Sequence, residues 1–161
     1  MSVAGPDHPA FLEELHLARE TEYWVAERLL RTNLPVQVEP LVEAETPWEG
    51  ADFVEQNDVL CGGHIVEVKG RNLTFTSPED YPYPTAYLMS VKRWDRRQVK
   101  PVAIVLVSLP TLHALAVSTK TEEHWKSVSV YDTRRGYTTD QYEVAKEFTR
   151  PLDDLVDWFR R

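Results

Sequence analysis

Four residues of this chain have the types and spacing of a hydrolytic site. Three are acidic, Glu22, Asp52 and Glu67, and the fourth is Lys69, two positions after Glu67. Carboxylate oxygens are the ligands that Mg²⁺ prefers in proteins. A nearby ammonium group can position a water molecule or stabilise the negative charge that develops at phosphorus. These residue types therefore suit metal-assisted hydrolysis of a phosphodiester.

The elements predicted around these residues would bring them together. Residues 64–69 alternate between polar and apolar types, which predicts a strand with Glu67 and Lys69 on one face. Residues 51–54 predict a short strand that carries Asp52. A short turn between the two strands would make them neighbours, so that the carboxylates of Asp52 and Glu67 converge.

The first acidic residue lies on a predicted helix. Residues 9–32 have an apolar stripe at helical spacing, formed by Phe11, Leu15, Ala18, Val25, Ala26 and Leu29. Glu22 falls inside this stripe, one turn from Ala18 and from Ala26. A carboxylate on the buried face of a helix is costly unless it is paired or bound to a metal ion.

Each feature also has an ordinary structural explanation. A Glu-Val-Lys segment occurs on the solvent face of many sheets, and Asp52 suits a cap or turn position. A half-turn change in helix phase would move Glu22 to the edge of the stripe. The combination and order of these residues, rather than any one of them, favour a site.

The charge distribution is uneven. The 161 residues carry a net charge of −8, which argues against a protein that coats nucleic acid by charge alone. Residues 1–60 hold 3 basic and 13 acidic side chains, whereas residues 64–101 hold 7 basic and 4 acidic ones. This pattern suggests a site with carboxylates at its centre and cations at its rim, although a solvated surface of mixed charge would give it too.

The order of elements predicts one mixed α/β domain over residues 1–161, with a flexible arm at residues 1–8. Strands follow the first helix, a second helix is predicted over residues 85–100, and residues 101–108 form an apolar run typical of a buried strand. Further strands are predicted at residues 112–118 and 125–132, and a short helix ends the chain. Residues 142–148 fit a strand or a helix.

Several functional classes are excluded or disfavoured. The single cysteine, Cys61, excludes a disulfide framework and a thiolate-rich zinc site, and the five histidines lack metal-ligand spacing. We expect no membrane span, since no apolar run approaches the ~18 residues that one needs. The start of the chain has no secretory pattern, so we expect an intracellular, cytoplasmic protein.

Thr21-Glu22 on an amphipathic helix, then Asp52, then Glu67-Val68-Lys69 resembles the PD-(D/E)XK nuclease superfamily. The similarity in element order covers residues 9–118. The resemblance implies a three-layer α/β/α restriction-endonuclease-like core of order αβββαβ, built on a mixed β-sheet. Two departures are that Ala51, rather than proline, precedes Asp52, and that no Gln-x-x-x-Tyr follows the lysine.

The family's site residues can be matched one by one. The resemblance implies that Asp52, Glu67, the backbone carbonyl of Val68 and Glu22 hold Mg²⁺, with Mn²⁺ able to substitute, and that Lys69 activates the water or stabilises the transition state. Phosphate contacts are expected from four basic residues that follow the acidic strand, Arg71, Lys92, Arg93 and Arg96.

The implied activity is hydrolysis of nucleic acid, in particular by a Mg²⁺-dependent DNA endonuclease of the structure-selective or phage type. Cuts on two strands would favour a homodimer. One alternative is a non-catalytic module on the same fold that binds nucleic acid or protein. Another is an unrelated α/β interaction domain, in which Asp52, Glu67 and Lys69 would not converge.

Overall fold

The computed structural model describes residues 9–39, 58–133 and 136–161, with the backbone alone over residues 9–18. The predicted arm at residues 1–8 and the predicted strand at residues 51–54 lie outside these ranges. Three α-helices are present in the described part of the chain: α1 (Pro9–Leu29), α2 (Val91–Arg96) and α3 (Leu152–Phe159). No helix among them is long and apolar enough to cross a bilayer.

Nine strands lie in the described ranges and, with the helices, form the mixed α/β fold that the sequence predicts. They are β1 (Val36–Val38), β2 (Val59–Cys61), β3 (His64–Arg71), β4 (Thr85–Ser90), β5 (Ala103–Ser108), β6 (Ala114–Ser118), β7 (Lys126–Asp132), β8 (Tyr137–Ala145) and β9 (Thr149–Pro151). Six of them form a mixed sheet in the order β1-β2-β3-β5-β6-β9. The β3/β5 pair is parallel, and the other described pairs of this sheet are antiparallel.

Residues between β3 and β5 supply part of a second layer. The second sheet has the order β4-β8-β7 and is antiparallel throughout its described strands. Strand β4 and helix α2 both lie in the crossover from β3 to β5. The crossover of this parallel pair therefore contains a strand as well as a helix.

Two apolar cores lie on opposite faces of the six-stranded sheet. One packs α1 and α3 against the sheet through Val25, Leu29, Val66, Val68, Val105, Val107, Leu152 and Val156. The other packs the second sheet and α2 against it through Ala86, Leu88, Trp94, Ile104, Leu106, Leu115, Val117 and Val144. All six residues of β5 are buried, as expected for a strand covered on both faces.

The helix predicted over residues 85–100 is confirmed only at Val91–Arg96, because the chain forms β4 before it and leaves the helix at Arg97. Ala86 and Leu88 are buried and Tyr87 is exposed, which is the period of two typical of a strand. Helix α2 starts only after Ser90, whose hydroxyl accepts a hydrogen bond from the backbone N–H of Arg93 at 3.4 Å. A hydroxyl at this position is a preferred N-cap, so Ser90 marks the boundary.

Candidate active site

The hairpin of β2 and β3 sets the register of the site. Its two-residue turn consists of Gly62 and Gly63, both with positive φ (55° and 80°), as a tight antiparallel hairpin requires. The turn pairs Cys61 with His64, and the ladder continues to Val59 opposite Val66. One further step along the same ladder sets residue 58 opposite residue 67.

Asp58 stands where the pairing of β2 with β3 ends. Its carboxylate Oδ2 accepts a hydrogen bond from the backbone N–H of Val68 at 2.7 Å, so a side chain replaces the ladder partner there. The carbonyls of Ile65 and Arg71 accept bonds from the β5 side. Because backbone groups alternate along a strand, the carbonyl of Val68 faces the same edge of β3 as Asp58.

Glu67 and Lys69 lie on the same face of β3, as the alternation predicts. The register with β5 pairs them with Ile104 and Leu106, so both side chains face the layer that contains α2. The Lys69 Nζ lies 3.2 Å from Glu67 Oε1. The other carboxylate oxygen, Oε2, accepts a hydrogen bond from Arg97 Nη1 at 2.8 Å. Glu67 is 5% exposed, so this carboxylate is paired with two cations in a nearly dry environment.

Helix α1 brings Glu22 to the same place. Glu22 is buried, accepts a hydrogen bond from Arg19 Nη1 at 2.7 Å, and shares a side-chain hydrogen bond with Asp58. The close approach of α1 to β3 depends on Gly70, where an added Cβ would lie 3.3 Å from the Thr21 hydroxyl oxygen. The burial of Glu22 fits its position inside the apolar stripe.

Burial and mutual repulsion raise the pKa of two of the carboxyl groups. Burial raises the pKa of Asp58 well above its ordinary value, and the negative charge of Glu67 raises it further. Burial also raises the pKa of Glu22, an effect that the positive charge of Arg19 opposes. Carboxyl groups that raise one another's pKa in a cluster are frequent at functional sites, because a bound cation or proton relieves their repulsion.

The donor chemistry at this position fits a hard divalent cation. Three carboxylates and the carbonyl of Val68 supply oxygen atoms only, which are the ligands of Mg²⁺. In the described ranges, no three acidic, histidine or cysteine side chains form a group that could hold a metal ion as they stand. The side-chain oxygens are engaged in ion pairs instead, because Glu67 is paired with Lys69 and Arg97, and Glu22 is paired with Arg19.

The basic residues predicted to contact nucleic acid fall into two groups. Lys92, Arg93 and Arg96 are exposed on α2, the helix that leads directly to Arg97. Arg71 is different, because its Nη2 donates hydrogen bonds to the carbonyls of Tyr87 and Leu88, both at 3.0 Å. The structure thus places the first three on a surface beside the site and uses the Arg71 guanidinium to join β3 to β4.

Sequence reasoning missed Asp58, Arg19 and Arg97. Asp58 follows Gln56 and Asn57, a composition that predicts a turn, and so its approach to Glu67 was not expected. The Gly62-Gly63 turn was the available indication, since it fixes the hairpin register. Asp52, the aspartate predicted at this site, lies outside the described residues. Cys61 is buried, and burial raises the pKa of its thiol, as is typical of a small core residue.

No known protein family, no curated protein and no solved structure matches this chain. The site is therefore interpreted from its own geometry and chemistry.

Proposed function

We propose that this chain is a metal-dependent nuclease of the PD-(D/E)XK type that hydrolyses phosphodiester bonds in DNA. The observation that carries the proposal is the convergence of Glu22 on α1, Asp58 just before β2, and Glu67 and Lys69 on β3. Helix α1 is distant in sequence from the β2-β3 hairpin, yet together they bring three carboxylates and one lysine to one place beside β3. A cluster of this composition suits metal-assisted phosphoryl chemistry better than it suits an apolar core.

We assign the aspartate of the motif to Asp58. It precedes Glu67 by nine positions, and its carboxylate contacts the backbone of Val68, the residue between Glu67 and Lys69. Asp52 stays a prediction from the sequence. A direct comparison of the two aspartates is therefore part of the test below.

The fold supports the same assignment. An α-helix is followed by an antiparallel β1-β2-β3 unit, and β3 then pairs in parallel with β5 after a crossover, as in the order αβββαβ. We propose that this part is a restriction-endonuclease-like core. The face of the six-stranded sheet opposite α1 would differ from the three-layer α/β/α arrangement, because β4, β8 and β7 cover it together with α2.

Each residue of the site has a proposed role in the hydrolysis. Glu22, Asp58, Glu67 and the carbonyl of Val68 would hold Mg²⁺ or Mn²⁺. The bound ion would supply a more acidic water and a charge that polarises the phosphate. Lys69, whose Nζ lies 3.2 Å from Glu67 Oε1, would orient the attacking water and offset the charge of the transition state. Burial of Glu22 and Glu67 keeps bulk water away and strengthens these electrostatic effects.

The surface beside the site suits a nucleic acid. Lys92, Arg93 and Arg96 are exposed on α2, and backbone phosphates are recognised mainly by such side chains. The overall charge of −8 would repel DNA elsewhere on the protein. Productive binding should therefore depend on this surface and on the divalent cation, and it should weaken as salt is raised.

The proposal is tested by cleavage of supercoiled plasmid, single-stranded DNA and a four-way junction in Mg²⁺, in Mn²⁺ and in EDTA. Lys69→Ala and Asp58→Asn should each lower cleavage by about 10²–10³-fold, while Asp52→Asn measures the competing assignment. Lys126→Ala is the matched control, because Lys126 is exposed on β7. Cleavage that persists in EDTA or in Lys69→Ala would contradict the proposal.

A non-catalytic module on the same fold is the second candidate. The observation that favours it is that both oxygens of Glu67 are already paired with cations, Lys69 and Arg97. In that case the cluster would be a structural ion-pair network. DNA binding without cleavage, unaffected by EDTA and by Asp58→Asn but weakened by Arg93→Gln, would identify it.

A further inference from the structure

Arg97 differs from the other basic residues near the site. It is the residue at which α2 ends, with extended backbone angles (φ −69°, ψ 126°), and its N–H donates to the carbonyl of Trp94. The side chain is 7% exposed, whereas Arg93 and Arg96 are exposed on the helix. Because α2 ends here, the side chain of Arg97 is directed inward, where it contacts Glu67.

Among the described residues, two of the carboxylates at this site are held in ion pairs. Glu67 contacts Lys69 and Arg97, and Glu22 contacts Arg19. Charges taken out of water are stable only when they are compensated, so these pairs let the protein fold around Glu22 and Glu67 without any added ion.

A divalent cation at Glu67 would disturb these ion pairs. It would bring two positive charges to the site, and Arg97 would compete with it for the same carboxylate. A guanidinium offers a planar fork of donors that matches the oxygens of a phosphate, whereas Lys69 is a single point charge fixed two residues from Glu67. The group best suited to find a new anion is therefore Arg97.

We propose that Arg97 exchanges partners, holding Glu67 in the metal-free protein and binding the phosphodiester of the substrate once Glu67 takes a divalent cation. This inference rests on the proposed function and adds a residue that senses both the metal and the substrate. Arg97 then first neutralises Glu67 where the metal would bind, and afterwards binds a phosphate at the same site.

The exchange predicts coupling between the two ligands. The cation frees Arg97 for phosphate, and phosphate in turn keeps Arg97 away from Glu67, so each ligand tightens the binding of the other by the same factor. Without Arg97 the cation should bind more tightly by itself, because its competitor for Glu67 is gone, and the help from DNA should largely disappear.

The test is calorimetric titration of Ca²⁺ into the full chain, first alone and then with saturating DNA. The DNA is a duplex of 12 nucleotides per strand, about one helical turn long. A gel checks that the DNA stays intact. In the wild type we expect DNA to tighten Ca²⁺ binding by about tenfold. In Arg97→Gln we expect Ca²⁺ alone to bind about tenfold more tightly and the effect of DNA to fall below about threefold. Arg150→Gln is the control for the lost charge, since Arg150 is exposed on β9, the edge strand of the six-stranded sheet. It should leave both the affinity for Ca²⁺ alone and the effect of DNA unchanged.

Arg97→Lys guards against a folding defect, because it keeps the positive charge beside Glu67. We expect its affinity for Ca²⁺ alone to match the wild type and its coupling to DNA to be reduced, since the fork is lost. If the wild type binds Ca²⁺ but Arg97→Gln and Arg97→Lys keep the wild-type affinity and coupling, the exchange is wrong and the metal site stands. If the wild type binds no divalent cation, with or without DNA, both the exchange and the proposed function are wrong.

Discussion

The hydrogen bond between Asp58 and Val68 gives a stability prediction that separates the shape of the Asp58 side chain from its charge. Asp58→Ala removes the acceptor at 2.7 Å from the Val68 N–H and leaves that donor unpaired. An unpaired buried donor costs about 1–3 kcal/mol of unfolding free energy. Asp58→Asn keeps an acceptor oxygen at nearly the same place and removes only the charge.

The raised pKa of Asp58 fixes the sign of the charge effect. The folded protein holds this proton at pH values where the unfolded chain, with a pKa near the ordinary 3.8, has lost it. The folded state thus binds more protons in that window, and the unfolding free energy of the wild type falls as pH rises through it. A neutral asparagine does not suffer this loss.

Thermal unfolding in EDTA at pH 4 and pH 7 measures both effects. Each kcal/mol corresponds to about 2–4 °C for a chain of this size, so Asp58→Asn should melt about 2–12 °C above Asp58→Ala at either pH. At pH 7 it should also equal or exceed the wild type. Asp157→Asn, at an exposed position of α3, controls for the loss of a surface carboxylate and should stay within about 0.5 kcal/mol of the wild type.

Two results would refute this reasoning. If Asp58→Asn and Asp58→Ala melted at the same temperature, the Val68 N–H would not depend on the side chain. If the difference between Asp58→Asn and the wild type were the same at pH 4 and pH 7, burial and the charge of Glu67 would not raise the pKa of Asp58 in solution.

Three other expectations concern the elements that surround the site. Arg71→Gln should lower the unfolding free energy, measured in urea, by about 2–3 kcal/mol, because its Nη2 hydrogen bonds to two carbonyls of β4 are charge-assisted; an unchanged midpoint would contradict the role of Arg71 in joining the strands. Hydrogen bonds from Thr76 and Ser77 lower the pKa of Asp80 to about 2. The melting temperature of Asp80→Ala should therefore lie below that of the wild type by its full amount above pH 4, and the difference should disappear as pH falls toward 2. A difference that is the same at every pH would show that the carboxylate charge is irrelevant. The hydrogen bond to Asp95 raises the pKa of Tyr142 to about 12, so Asp95→Asn should shift one tyrosine in the ultraviolet titration toward its ordinary pKa, and superimposable titration curves would exclude the bond.

The sequence predicted the acidic strand well because side-chain alternation is a local property. Glu67 and Lys69 lie on one face of β3, and the buried Glu22 lies where a carboxylate interrupts the apolar stripe of α1. Both predictions follow from periodicity within one element, which needs no knowledge of the partners.

Pairing between elements was harder to predict. Asp58 reaches Val68 through the register of a hairpin, and Arg97 reaches Glu67 across the crossover between β3 and β5. Neither contact leaves a period in the sequence. The helix predicted over residues 85–100 failed for a related reason, since β4 finds its hydrogen-bond partner in β8, more than fifty residues later.

The edge of the six-stranded sheet at β9 bears on how this protein can assemble. Strand β9 has only three residues, ends in Pro151, which has no backbone N–H, and continues at once into α3. Short edge strands that contain proline make poor templates for the strand of another molecule. This edge therefore resists cross-molecular sheet extension and the aggregation that can follow from it.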